Sequence, residues 1–279
     1  MAARPAEPNL GEAMFNTVLV GIDLETGGRD AIALALRLVS PAGPGSPAGP
    51  GSPAGRLSFA HVSESHRVGA GLHQLAEAAG ADLLVIGSSR AGRSGRVRLS
   101  DETRDAVNGA PCAVAVAPLS YAETGTPIQQ IGIAYNGSVE SRSAVGTGRA
   151  LAAELGAQAT AFEALPLPLS DLDLGPWETF TGAVRAREAR ARERIARETG
   201  VAAAASCGET IDEIAVFSDT VDLLIVGSRD YGPVGRLVHG STTHRLLRYA
   251  RAPMLILTRG ARRRSAQQDL RARSPHAVA

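Results

Sequence analysis

Short apolar runs alternate with longer stretches of helical spacing along most of the chain, and the alternation is most regular after residue 129. Residues 131–135 form an apolar run that closes on Asn136-Gly137-Ser138, and residues 141–155 carry apolar positions at helical intervals before Gly156. The pattern then predicts a strand over 159–164, a Pro-rich loop over 166–176 and an Arg/Glu-laced helix over 180–199. A strand over 201–206, a helix over 210–218, a strand over 221–226, a helix over 241–249 and a last strand over 254–258 follow. Strands and helices alternating at this spacing predict a parallel sheet covered on both faces.

The first part of the chain repeats this plan with a piece missing. It reads as a strand over 17–22, a helix over 29–39, a strand over 57–62, a helix over 72–79 and a strand over 83–86. Ala81-Asp-Leu-Leu-Val-Ile-Gly-Ser88 matches Val221-Asp-Leu-Leu-Ile-Val-Gly-Ser228 at an offset of 140, and Gly92, Gly95 and Arg96 fall on Gly232, Gly235 and Arg236. Near the start of each half, Gly21-Ile-Asp23 with Arg29 and Ala31 falls on Ala134-Tyr-Asn136 with Arg142 and Ala144 at an offset of 113. Matching His61-Val62 to Glu163-Ala164 gives 102, which rises to 140 by Asp82; the lost 38 residues correspond to the second helix, the third strand and their loops. Residues 40–55 partly offset the loss with a Ser-Pro-Ala-Gly-Pro-Gly tract, too rich in proline and glycine to bury apolar surface.

These features predict an α/β chain of two tandem units. The expected organisation is a disordered stretch over 1–15, a truncated unit over 16–118, a linker over 119–128, a complete unit over 129–259 and a disordered Arg-rich tail over 260–279. Bulk composition narrows the function classes. Hydrophobic residues make up 44% and charged residues 20%, as in a soluble globular protein, and no apolar run approaches the roughly 20 residues of a membrane span. Met1 to Glu12 lacks the pattern of a secretory signal, and Cys112 and Cys207 are spaced for neither metal nor disulfide framework, so a cytoplasmic location is expected. A net charge of +1 gives no reason to expect nucleic acid as a partner. All 29 basic residues are arginine, which excludes a phosphate loop of the lysine-dependent kind.

In an open parallel sheet ligands bind beyond the carboxyl ends of the strands, where strand order reverses. The turn after the fourth strand of the second half reads Gly227-Ser-Arg-Asp230, then nine residues, then Gly240-Ser241. Gly227 lets the chain turn sharply and approach a ligand, while Gly240-Ser241 opens a helix whose free N–H groups suit a phosphate, with Ser241 and Thr242 adding hydroxyls. Each residue alone has a plainer reading as turn or N-cap. His239 and His244 flank Gly240 without forming a Ser-His-Asp or Cys-His pattern, and no hydrolase or nucleotidyl-transferase motif occurs. An enzyme is therefore not expected. Trp177 and Phe180 are expected to staple the second helix of this half to the sheet.

With these turns the sequence resembles the universal stress protein family, whose nucleotide-binding members carry Gly-x2-Gly-x9-Gly-Ser/Thr after the fourth strand and an aspartate at the end of the first. The resemblance covers roughly 16–118 and 129–259, as in tandem members. It implies Rossmann-like sheets of order 3-2-1-4-5, the first here without its third strand and second helix, with the last strands paired antiparallel across a tandem or homodimer interface. It implies ATP or AMP, with Mg2+, as the candidate ligand of the second half, on Asn136, Ser138, Ala164, Gly227, Ser228, Arg229, Gly240, Ser241 and Thr242, in a stress-response regulatory module.

Both halves depart from the motif. The second carries Asp230 for the motif's second glycine and Asn136 for the aspartate; the first keeps Asp23 and Gly87 but has Arg90, Ser100 and Asp101 at the other positions. A carboxylate about 4 Å from a phosphate costs ~4 kcal/mol at an effective dielectric of 20, roughly a thousandfold in affinity. Replacing Asp with Asn at 136 removes a charge and keeps an oxygen for ribose or metal. The alternative is a protein that keeps the fold, has lost the site and acts as an interaction scaffold.

Overall fold

The computed structural model describes residues 14–22, 28–39, 56–61, 68–88, 101–124, 126–167, 177–228, 246 and 250–258. In the first half these form β1 (Thr17–Gly21), α1 (Arg29–Val39), β2 (Arg56–Ala60), α2 (Val68–Ala78), β3 (Leu83–Gly87), α3 (Asp101–Val107) and β4 (Ala113–Ala117). A short helix, α4 (Tyr121–Thr124), lies in the connection. The second half comprises β5 (Gln130–Ala134), α5 (Val139–Leu155), β6 (Gln158–Leu165), α6 (Trp177–Thr199), β7 (Ala202–Cys207), α7 (Thr210–Ser218), β8 (Leu223–Gly227) and β9 (Met254–Leu257). The tract over 40–55, residues 1–13, the tail over 260–279 and all but Leu246 of the helix expected over 241–249 lie outside the described residues.

The nine strands among the described residues join one sheet of order β2-β1-β3-β4-β9-β8-β5-β6-β7. The second half contributes β7-β6-β5-β8-β9, which is 3-2-1-4-5 in its own strand count, and the first contributes β2-β1-β3-β4. Where α6, β7 and α7 stand between β6 and β8, only α2 stands between β2 and β3 among the described residues. The pairs within each half are parallel, and the halves meet where β4 and β9 run antiparallel, with Ala115 opposite Leu255. Every residue of both joining strands is buried, so small Ala and Val side chains of β4 lie beside Met, Leu and Ile of β9. A buried hydrogen bond from the Thr258 hydroxyl to the Cys112 carbonyl, 2.7 Å, adds to this seam.

Because both faces of the sheet are covered, the strands read as apolar runs rather than as alternating ones. One face packs under α1, α5 and α6, with Leu34, Leu38, Leu151 and Ile195 fully buried. The other packs under α2, α3 and α7, with Leu72, Val107, Ile211 and Ile214. The connection over 119–128 is more than a spacer. The Asp30 carboxylate accepts from the N–H groups of Ser120 (2.9 Å) and Ala122 (2.8 Å), which ties α4 to the start of α1. The Arg37 guanidinium of α1 lies 4.3 Å from the Tyr121 ring centroid, a cation–π contact between the same two helices. The fold also begins earlier than residue 16: Phe15 is buried, and the Met14 N–H donates to Glu154 on α5 at 2.8 Å.

The repeated Asp-Leu-Leu has a repeated job. The Asp82 carboxylate accepts from the N–H groups of Asn16 (2.8 Å) and Thr17 (3.1 Å), and Asp222 accepts from those of Gln129 (2.9 Å) and Gln130 (2.8 Å). Each carboxylate satisfies the two amides that lead into the first strand of its half, where no ladder partner is available.

Candidate functional site

In the second half the strand order reverses between β5 and β8. The chain leaves β5 for α5 on one face, and past β8 it reaches Leu246 on the other. In open sheets ligands bind beyond the carboxyl ends of the strands at such a reversal, which makes the ends of β5 and β8 the candidate site.

At the end of β5 the backbone turns through Asn136, Gly137 at φ 74° and Ser138. The Ser138 N–H donates to Asn136 Oδ1 at 3.1 Å, and Ser138 Oγ accepts from the Ser141 N–H at 3.2 Å, making it the N-cap of α5. The side chain thus supplies one of the acceptors that the first turn of a helix lacks. The Arg142 guanidinium donates back to the Gly137 carbonyl and holds the turn from the helix side. At the end of β8, a Cβ on Gly227 would stand 2.6 Å from the Glu140 carbonyl oxygen and 2.9 Å from its Cβ. Glycine is required here because the first turn of α5 sits directly against the strand end. At Gly87, the equivalent in the first half, nothing among the described residues stands within 4 Å of such a Cβ.

Ser228 is buried and its N–H donates to the Leu257 carbonyl at 3.1 Å, as the Ser88 N–H does to Ala117 at 2.9 Å. Ala164 lies near the end of β6 and packs, with Ala134, toward the face that carries α7. The structure thus brings Asn136, Ser138, Gly227 and Ser228 to the β5 and β8 ends, with Ala164 on the neighbouring strand. Arg229, Asp230, Gly240, Ser241 and Thr242 lie outside the described residues, as do Asp23, Arg90 and Ser100 of the first half. Asp101 heads α3.

The Asn136 oxygen, expected to serve ribose or metal, accepts here from the Ser138 backbone N–H. Trp177 also differs from expectation. It is 71% exposed and touches Phe180, ring centroids 5.5 Å apart, instead of stapling α6 to the sheet. What fastens α6 is the far half of the helix. Ala191 and Ile195 enter the core, and the Glu188 carboxylate accepts from the Cys207 N–H at 3.0 Å.

Behind the β5 turn lies a polar cluster that sequence spacing did not reveal. The Tyr135 hydroxyl donates to Glu198 at 2.7 Å, Arg194 pairs with Glu163 on β6, and its second nitrogen reaches Glu198 at 3.4 Å. Burial, then the bond to Glu198, pushes the Tyr135 hydroxyl above its ordinary range, and that same bond holds the Glu198 carboxyl below its own. The Glu163 bond raises the pKa of Arg194. Among the described residues no group of three or more His, Cys, Asp or Glu could hold a metal ion, and no helix is long and apolar enough to cross a membrane.

In fold the chain is similar to a universal stress protein from Pseudomonas aeruginosa, at 18% identity and a TM-score of 0.62 over 92% of this chain and 100% of that one. A functionally unknown protein from the same species matches at 16% identity and a TM-score of 0.62, over 92% and 99%. A universal stress protein from Archaeoglobus fulgidus matches at 14% identity and 0.55, over 88% and 98%. Identities this low speak for the fold alone. No curated protein matches the chain. The model of the Universal stress protein family matches residues 52–118 and 127–258, one stretch in each half and more than half of the chain together, and the chain belongs to that family.

Proposed function

We propose that the chain is a non-catalytic, cytoplasmic module of the stress response whose second half holds ATP or AMP at the carboxyl ends of β5 and β8. The observation that carries this reading is the meeting of the two strand ends at the reversal point. The capped first turn of α5, which follows the Asn136–Ser138 turn, lies so close to Gly227 that a Cβ there would stand 2.6 Å from the Glu140 carbonyl oxygen. Asn136, Ser138 and Ala164 would border the nucleoside, and Gly227 and Ser228 lead toward the phosphate end, completed by Arg229, Gly240, Ser241 and Thr242. Asp230 is expected to weaken binding there by charge repulsion.

Equilibrium dialysis of labelled ATP and AMP, with and without Mg2+, tests the reading. Uptake of one nucleotide per chain is expected, with ATP recovered intact. No uptake at millimolar ligand overturns it, and catalytic release of phosphate overturns the non-catalytic part. Asp230→Gly is expected to raise affinity, up to about a thousandfold if the carboxylate lies near the phosphates.

For the first half the scaffold reading is favoured. Asp101 stands in sequence at the motif's serine or threonine position, where an acid opposes phosphate, and Phe59 on β2 is 57% exposed, which suits an interaction surface. A homodimer would use an outer surface, since β4 and β9 already pair with each other within one chain.

A further inference from the structure

We propose that the second-half site takes its nucleotide without a divalent cation at the end of β5, and that Asn136 meets the ligand there as a hydrogen-bond donor. This rests on the nucleotide reading above and assigns the chemistry of one corner of that site. It follows from how Asn136 is held. Its Oδ1 accepts from the Ser138 backbone N–H at 3.1 Å. A backbone N–H only donates, so the atom facing it is the oxygen, and reversing the amide would set two donors against each other. The other polar corner of the group is therefore the NH2, which has no acceptor capacity. Asn136 is exposed, so that corner is open to a ligand.

An aspartate in the same turn would present its second carboxylate oxygen at that corner. That atom is negative and accepts only, so it could hold a hydroxyl group or a cation. Asparagine reverses the polarity. Its NH2 suits an unprotonated ring nitrogen, a carbonyl or a phosphate oxygen, and brings neither negative charge nor a ligating atom to a cation at that corner. The turn behind it is secured at three further points: Gly137 at φ 74°, the Ser138 cap on the Ser141 N–H at 3.2 Å, and the Arg142 guanidinium on the Gly137 carbonyl.

Dialysis of labelled AMP against the full chain, once in EDTA and once in excess Mg2+, tests the proposal; AMP is chosen because it binds Mg2+ weakly. The wild-type chain is expected to hold AMP equally in both buffers, within about twofold. Asn136→Asp replaces the donor with an acceptor of the same size. It is expected to lose roughly tenfold in EDTA and to recover part of that in Mg2+ or Mn2+. Wild-type uptake that requires Mg2+, or an Asn136→Asp affinity unchanged in EDTA, overturns the inference and leaves the nucleotide reading standing. No uptake of AMP or ATP by the wild type in either buffer overturns both. The wild-type comparison needs no variant, so a folding defect in Asn136→Asp does not blunt the test.

Discussion

The two halves of the sheet share their foundations and differ at their outer edges. Asp82 and Asp222 fasten the lead into β1 and β5 in the same way, and Ser88 and Ser228 make the same backbone bond past β3 and β8. Phe59 on β2, beside Val20, stands where Ala161 on β6 stands beside Ile133. Ala161 is 0% exposed in the cluster that includes Ala191 and Ile195 of α6, whereas Phe59 is 57% exposed. A small residue occupies the place a helix must approach, and a large one occupies a place that no helix covers among the described residues. Among the described residues the first half shows no counterpart of β7 and its helix, and its central hydrogen bonding matches that of the second half. It exposes an aromatic side chain on a strand with no outer neighbour among the described residues, an open template for another chain.

The sharpest way to break this comparison is to exchange the side chains. Ala161→Phe forces a ring under α6 and is expected to destabilise the chain by about 3 kcal/mol, while Phe59→Ala is expected to cost under about 1 kcal/mol. Equal shifts of the denaturation midpoint would show that Phe59 is as covered as Ala161. The two strand-end glycines give a smaller contrast. Gly227→Ala must displace the Glu140 backbone and is expected to cost about 1–2 kcal/mol, against about 0.5 kcal/mol or less for Gly87→Ala. A Gly87→Ala midpoint that falls as far as that of Gly227→Ala would remove the distinction between the two sites.

The smallest effect is expected in alkali. The folded chain holds the Tyr135 proton more tightly than the unfolded chain does, because burial and the Glu198 carboxylate both oppose the phenolate. Stability from this group is therefore present below the ordinary tyrosine value of about 10 and lost as pH rises through the raised one. Tyr135→Phe should flatten that loss by under about 1 kcal/mol. Burial raises Tyr121 as well, so Tyr121→Phe should flatten part of what remains. Denaturant midpoints measured from pH ~8 to ~11 would check both, and Tyr135→Phe curves parallel to wild type would place its hydroxyl in water.

Much of the architecture was legible because the repeat carries it. The two Val/Ile-rich strands after Asp-Leu-Leu, the change of offset across the gap and the Ala-Pro before each last strand fix the strand count of each half. The jobs of the repeated residues were harder to read. Nothing around Asp82 or Asp222 in sequence signals its partners, which lie 65 to 93 residues away along the chain. Asp30 likewise reaches across 90 residues to Ser120 and turns an apparent linker into a packed turn. At the site, Gly227 was legible as a residue that must lack a side chain. Sequence suggested a ligand as the reason, and the structure adds the backbone of α5. The amide orientation of Asn136 depends on a bond spanning two residues, for which Asn-Gly-Ser before a helix is a local signal. Trp177 misled because an aromatic residue at a helix start reads as an anchor, while here the anchoring lies about four turns later, at Ala191 and Ile195.

β9 is the last strand among the described residues and yet lies in the interior of the sheet, with β4 on one side and β8 on the other. On the ribosome this order imposes a wait. At ~5–20 residues per second, roughly seven to thirty seconds separate the emergence of β4 from that of β9. Throughout that interval the nascent first half offers an uncapped, wholly apolar edge, Ala113–Ala117, to whatever reaches it first. The β9 of a neighbouring nascent chain fits the same slot. Strand exchange between copies made on one polysome is therefore a misassembly that this strand order invites.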